Sequence, residues 1–134
     1  VVELIRSELP PMQSWSELEP QDRRVLLDRY ERLGPGDEPP FPQRGLFTLL
    51  RQLDLMQRTV PVEGELSVVA TVDARGKVER VTVLRSPHPG ATRLLAINLM
   101  DTTFKPARCA GEPCRMEFPL RLHLVRVDAA PTPR

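Results

Sequence analysis

Cysteine occurs twice in the 134 residues, in Cys109-Ala-Gly-Glu-Pro-Cys114, where Gly111 and Pro113 are turn formers able to fold the two thiols together. The spacing predicts a local disulfide, which would suit an oxidising compartment such as a periplasm; the alternative is a pair of free thiols. Two thiols do not complete a tetrahedral zinc site, and neither His88 nor His123 stands at finger-like spacing, so no metal site is expected. Ser86-Pro87-His88 sets a hydroxyl beside an imidazole, but two prolines bound the histidine and the segment reads as a turn. A hydrolase would need its serine on a strand, elbow and helix. Without a phosphate loop or a third member for a triad, the chain is expected to be no enzyme, with no cofactor and no small-molecule substrate.

Charge gives little direction. The 19 basic and 18 acidic residues leave a net charge of +1, so neither nucleic acid nor an anionic membrane is an expected partner. Residues 1–33 carry net −2 and residues 61–134 net +3, an asymmetry too small to name one. No apolar run approaches the roughly 20 residues that span a bilayer. The chain opens at Val1 rather than Met, which leaves room for an upstream targeting or anchoring segment.

The elements that would position these residues fall into three stretches: residues 1–60 as a helical arm and Pro-rich connector, 61–128 as a domain, and 129–134 as a flexible tail. Aromatics make up 4% of the chain and Pro 15 residues, so the core must be aliphatic and the elements short. In the arm, Val1, Val2, Ile5 and Leu9 allow a short helix at most before Pro10-Pro11. Ser16 with Glu19 offers a capping box, or Pro20 a first helical residue, for a stripe of Leu26, Tyr30 and Leu33 stopped at Gly34. Gly34 to Pro42 should be extended, and Leu46, Leu49, Leu50 and Leu53 predict about three helical turns.

Beyond Gly64, Leu66, Val68, Ala70 and Val72 alternate into the turn Asp73 to Lys77, and Val78 to Arg85 returns, with Glu79-Arg80 marking a bulge. Ala91 to Met100 reads as a deeply packed helix. The last strand points Met116, Phe118, Leu120, Leu122 and Leu124 one way and Arg115, Glu117, Pro119, Arg121 and His123 the other. The expected core is Leu66, Val68, Ala70, Val72, Val81, Val83, Leu94, Ile97, Phe118, Leu120 and Leu122. Pro119 has no N–H to give a second neighbour, so this strand should be a sheet edge. The predicted fold is α+β: a strand-strand-helix-strand unit whose three-stranded, antiparallel-rich sheet is packed by a helix and preceded by the arm.

This pattern resembles the TonB C-terminal domain of bacterial energy transducers. The resemblance stands on Gly64, on Val72-Asp73-Ala74-Arg75-Gly76-Lys77-Val78, on Phe104-Lys105-Pro106-Ala107, and on Gly111-Glu112-Pro113 before the strand through Phe118. It covers about half of the chain. Glu38-Pro39-Pro40-Phe41-Pro42 is similar to the family's Gln-Pro-x-Tyr-Pro segment, with Glu in place of Gln and Phe in place of Tyr. The resemblance implies a periplasmic binding and force-transmitting module, anchored in the inner membrane through an upstream segment that meets the motor proteins. It would grip a peptide of an outer-membrane transporter by edge-strand addition. Glu38 to Pro42 would flank the same groove as Arg115, Glu117, Pro119, Arg121 and His123. The alternative is a structural or docking subunit of an envelope or secretion assembly, and a free edge also allows strand exchange into a homodimer.

Overall fold

The structure, a computed structural model, describes residues 4–126. Its class is α+β, and the hairpin is where local sequence dictates most. Strand β3 (Gly64–Val72) and strand β4 (Val78–Arg85) pair antiparallel, following β1 (Ile5–Ser7) and β2 (Phe41–Pro42) in the chain. Asp73 closes the hairpin turn, its Oδ1 accepting from Arg75 N at 2.8 Å and Lys77 N at 2.9 Å. Those two donors hold its pKa below the usual carboxylate value. Between Thr71↔Arg80 and Val72↔Val78 the register skips Glu79, the expected bulge, which brings Val78 into the core. A second skip falls at Leu84.

Three helices follow the apolar stripes: α1 (Pro20–Leu27), α2 (Phe47–Thr59) and α3 (Pro89–Met100). Pro20 opens α1 as a first helical residue, but the capping box lies two residues earlier than Ser16 and Glu19, between Ser14 and Glu17 around a 3-10 turn at Trp15–Glu17. The helix ends at Leu27, so Tyr30 and Leu33 lie beyond it. His88 caps α3, its Nδ1 accepting from Gly90 N and Ala91 N. After α3 come β5 (Phe104–Lys105), the short hairpin β6 (Ala107–Cys109) and β7 (Glu112–Cys114), and β8 (Met116–Leu124).

The sheet corrects the expected three strands. It has four, in the order β1-β8-β3-β4, with separate two-stranded ribbons β2-β5 and β6-β7. The extra strand comes from the arm, where Ile5–Ser7 is strand rather than helix and pairs Ile5↔Leu124, Arg6↔His123 and Ser7↔Leu122. Val1 and Val2 of the expected stripe lie outside the described residues, as do residues 127–128 and the tail at 129–134. Gln57 fastens this junction from α2: its Nε2 donates to the carbonyls of Leu4, Val62 and Val125, and its Oε1 accepts from Val62 N at 2.7 Å.

One apolar core runs through arm, connector and sheet. Leu9, Trp15, Leu18, Leu26 and Phe41 are buried in the same cluster as Leu66, Val68, Ala70, Val72, Phe118, Leu120 and Leu122. Two expected core residues are not in it. Ile97 is 54% exposed, because α3 packs through Ala91, Thr92, Leu95 and Leu99, and about 100° per residue puts position 97 on the opposite side. Val83 is 45% exposed, because it lies on the outermost strand, with a neighbouring strand on one side only. Val81 and Leu94 are half-buried.

Candidate functional site

Pro119 sits in β8 opposite Val69 of β3, and its other side meets no strand because β1 stops at Ser7↔Leu122. The proline is therefore tolerated for the reason the sequence suggested, yet β8 is not the free edge expected of it. Beyond the end of β1, two side chains following α1 take over. Tyr30 donates its hydroxyl to the Glu117 carbonyl at 2.6 Å, and Arg29 Nη1 donates to the Pro119 carbonyl at 3.3 Å. The chain's own arm thus lies along β8 from Glu117 to Leu124.

Two of the side chains named on that face, Arg115 and Arg121, are also engaged. Arg115 pairs with Glu79 at 3.0 Å. Arg121 lies 3.7 Å from Glu8 and 4.0 Å from Glu65, and Glu8 also pairs with Arg29 at 3.0 Å. Glu117 and His123 are exposed. Burial pushes the Tyr30 pKa above its ordinary value, with Arg29 opposing the rise and Glu117 adding to it. In an unfolded chain the phenol ionises near pH 10, so the stability it lends is whole below about pH 10 and falls as pH climbs towards the folded value. Tyr30→Phe should lower stability by about 0.5–1.5 kcal/mol at neutral pH and blunt the alkaline loss. Denaturant midpoints measured at neutral and alkaline pH check this, and an unchanged neutral midpoint would mean that Tyr30 does not secure β8.

Glu38 to Pro42 does not flank a groove with β8. The segment is extended, as expected, but Glu38 bridges Arg108, Phe41 pairs with Lys105 and Pro42 with Phe104. Pro39, Pro40, Phe41 and Pro42 are buried, and the Phe41 ring meets Phe118 edge-on at 5.8 Å inside the core. Only Glu38 of the five remains half-exposed. Cys109 and Cys114 form the expected disulfide across the β6-β7 hairpin, with Cα atoms 5.8 Å apart. The bond is compatible with an extracytoplasmic location. Asp37 ties the hairpin tip to the connector, accepting from Ala110 N at 2.7 Å and Gly34 N at 2.9 Å.

Two features were not anticipated. The first is the outer side of β4, where the sheet ends. Between the bulges at Glu79 and Leu84, residues Arg80 to Val83 run in regular register with β3, and Val83 and Leu84 are 45% and 61% exposed. The second is a cleft of about 500 Å³ between the 3-10 turn, the connector and β5–β7, lined by Trp15, Arg23, Glu38, Lys105 and Arg108. The Arg23 guanidinium lies 5.0 Å from the Trp15 ring centroid and the Lys105 ammonium 5.7 Å. These residues come from separate stretches of chain, so no local motif announced them.

Among the described residues no cluster of His, Cys, Asp or Glu could hold a metal ion, and no helix is long and apolar enough to cross a membrane. No family model, curated protein or solved structure matches the chain.

Proposed function

We propose that the chain is a non-catalytic docking module of the periplasm, used as TonB-like domains are, that takes an extended segment of an outer-membrane transporter by strand addition and passes force to it. The observation that carries this reading is the outer side of β4 at the end of the sheet, which pairs with no strand among the described residues. An extended segment laid against it gains main-chain hydrogen bonds, while the exposed Val83 and Leu84 offer apolar contacts to its side chains. The bulges that bracket Arg80 to Val83 limit the regular run to four residues and guard the edge against indiscriminate pairing. A few backbone bonds, each worth about 0.5–1.5 kcal/mol net, correspond to affinities on the order of micromolar or weaker.

A second reading, a docking subunit of an envelope or secretion assembly, is favoured by the arm along β8. It occupies the strand on which the TonB resemblance would place a receptor segment.

The test uses peptides from the periplasmic ends of candidate transporters, each made in two forms N-methylated at alternate residues. Strand addition needs the N–H groups on only one edge of the peptide. One form should therefore lose binding and the other keep it. Equal binding by both forms would exclude strand addition.

A further inference from the structure

We propose that the cleft between Trp15, Arg23, Glu38, Lys105 and Arg108 is a binding site for the carboxylates of an acidic peptide. The site stands on its own geometry and does not depend on strand addition at β4. Three cations meet one carboxylate there: Glu38 pairs with Lys105 at 3.3 Å, and among the described residues neither Arg23 nor Arg108 has a carboxylate partner. Lys105 is fully engaged, its ammonium also donating to the carbonyls of Pro39 and Pro106 at 3.1 Å each. The two guanidinium groups are not. Arg23 donates through Nε to the Trp15 carbonyl and through Nη2 to the Ser16 carbonyl, which fixes it over the indole and leaves Nη1 without a partner among the described residues. Arg108 donates through Nη1 to the Gly111 carbonyl, and its Nε and Nη2 have no partner among the described residues.

Arg23 and Arg108 act on Lys105 across the cleft. Burial lowers the Lys105 pKa despite Glu38, and Arg108 and Arg23 lower it further. A bound anion would relieve that repulsion. Trp15 is 6% exposed, and its indole N–H is buried with no acceptor among the described residues. Two unpaired guanidinium groups on separate elements suit two singly charged carboxylates. A compact dianion such as phosphate fits less well, since Glu38 lies among the same cations and repels it. The Trp15 face, Pro106 and Pro113 supply apolar walls for a peptide backbone.

Trp15 is the only tryptophan in the chain, so its fluorescence reports on the cleft directly. Titration of the whole chain at low salt with an acetylated, amidated tetraglutamate peptide should give a saturable change with a Kd on the order of 0.1–1 mM. The tetraglutamine peptide should give none. Arg108→Gln, on an exposed side chain, should weaken binding about two- to fivefold, and Glu38→Gln should tighten it by a similar factor. Because the two variants move affinity in opposite directions, a general loss of folding cannot produce the expected pattern. The proposal is overturned if tetraglutamate gives no saturable change, if tetraglutamine matches it, or if both variants bind like the parent. Saturation by inorganic phosphate at lower concentration than by tetraglutamate would overturn the assignment to a peptide.

Discussion

Phe118→Ala is expected to cost about 3–5 kcal/mol, a fifth or more of the roughly 5–15 kcal/mol usual for a domain. The ring is fully buried, 5.2 Å from Phe104 and 5.8 Å from Phe41, and Phe41 in turn lies 6.0 Å from Trp15. In a chain with four Phe and one Trp, three of the Phe and the Trp thus form a single run of contacts. That run joins the 3-10 turn, the connector, the exit of α3 and β8. Truncation leaves a cavity at the point where all four meet, and tilted and edge-to-face pairs add to what burial alone gives. Denaturant unfolding followed by Trp15 fluorescence measures the loss. A value below about 1 kcal/mol would mean that arm and sheet do not share one core.

Gly76→Ala should cost about 3 kcal/mol or more, for a reason that lies outside the hairpin. Gly76 has φ +86°, and a Cβ there would run into the Phe104 carbonyl oxygen. The Gly76 carbonyl accepts from Phe104 N at 2.8 Å, so the hairpin tip and the start of β5 are locked together. Gly111 is the control: it has the same φ of +86°, but a Cβ there would meet nothing within 4 Å, so Gly111→Ala should cost only about 1 kcal/mol. Thermal or denaturant midpoints of the two variants separate contact from conformation. Equal losses would contradict the close approach at Gly76.

That pair also explains which parts of the fold were legible. The Val72 to Val78 turn and the Phe104-Lys105-Pro106 exit each read clearly as local signals, and the structure sets them against each other. Strand alternation on β3 and β8 was equally plain, because burial on one face repeats every second residue. Helix α3 misled because five apolar residues nearly encircle it, and periodicity cannot say which side a neighbour covers. The arm misled further. Ile5–Ser7 is too short for a period of two to stand out against 3.6, and its strand character comes from pairing with Leu122–Leu124. The candidate site was the least legible part. Pro119 correctly signalled a missing neighbour, but the edge is closed by Arg29 and Tyr30, about 90 residues away in sequence. The TonB resemblance assigns Pro39 to Pro42 to docking, yet they are buried, and an extended proline run has the same composition whether it meets a partner or its own core.

An extended partner can add to β4 or displace β1 from β8. Amide shifts of isotope-labelled protein, followed as a transporter-derived peptide is added, tell the two apart residue by residue. The account predicts shifts concentrated at Val78 to Arg85, with Ile5 to Ser7 and Glu117 to Leu124 unmoved. Shifts confined to Glu117 to Leu124, accompanied by release of Ile5 to Ser7, would contradict it and place the partner on β8 in exchange for the chain's own arm.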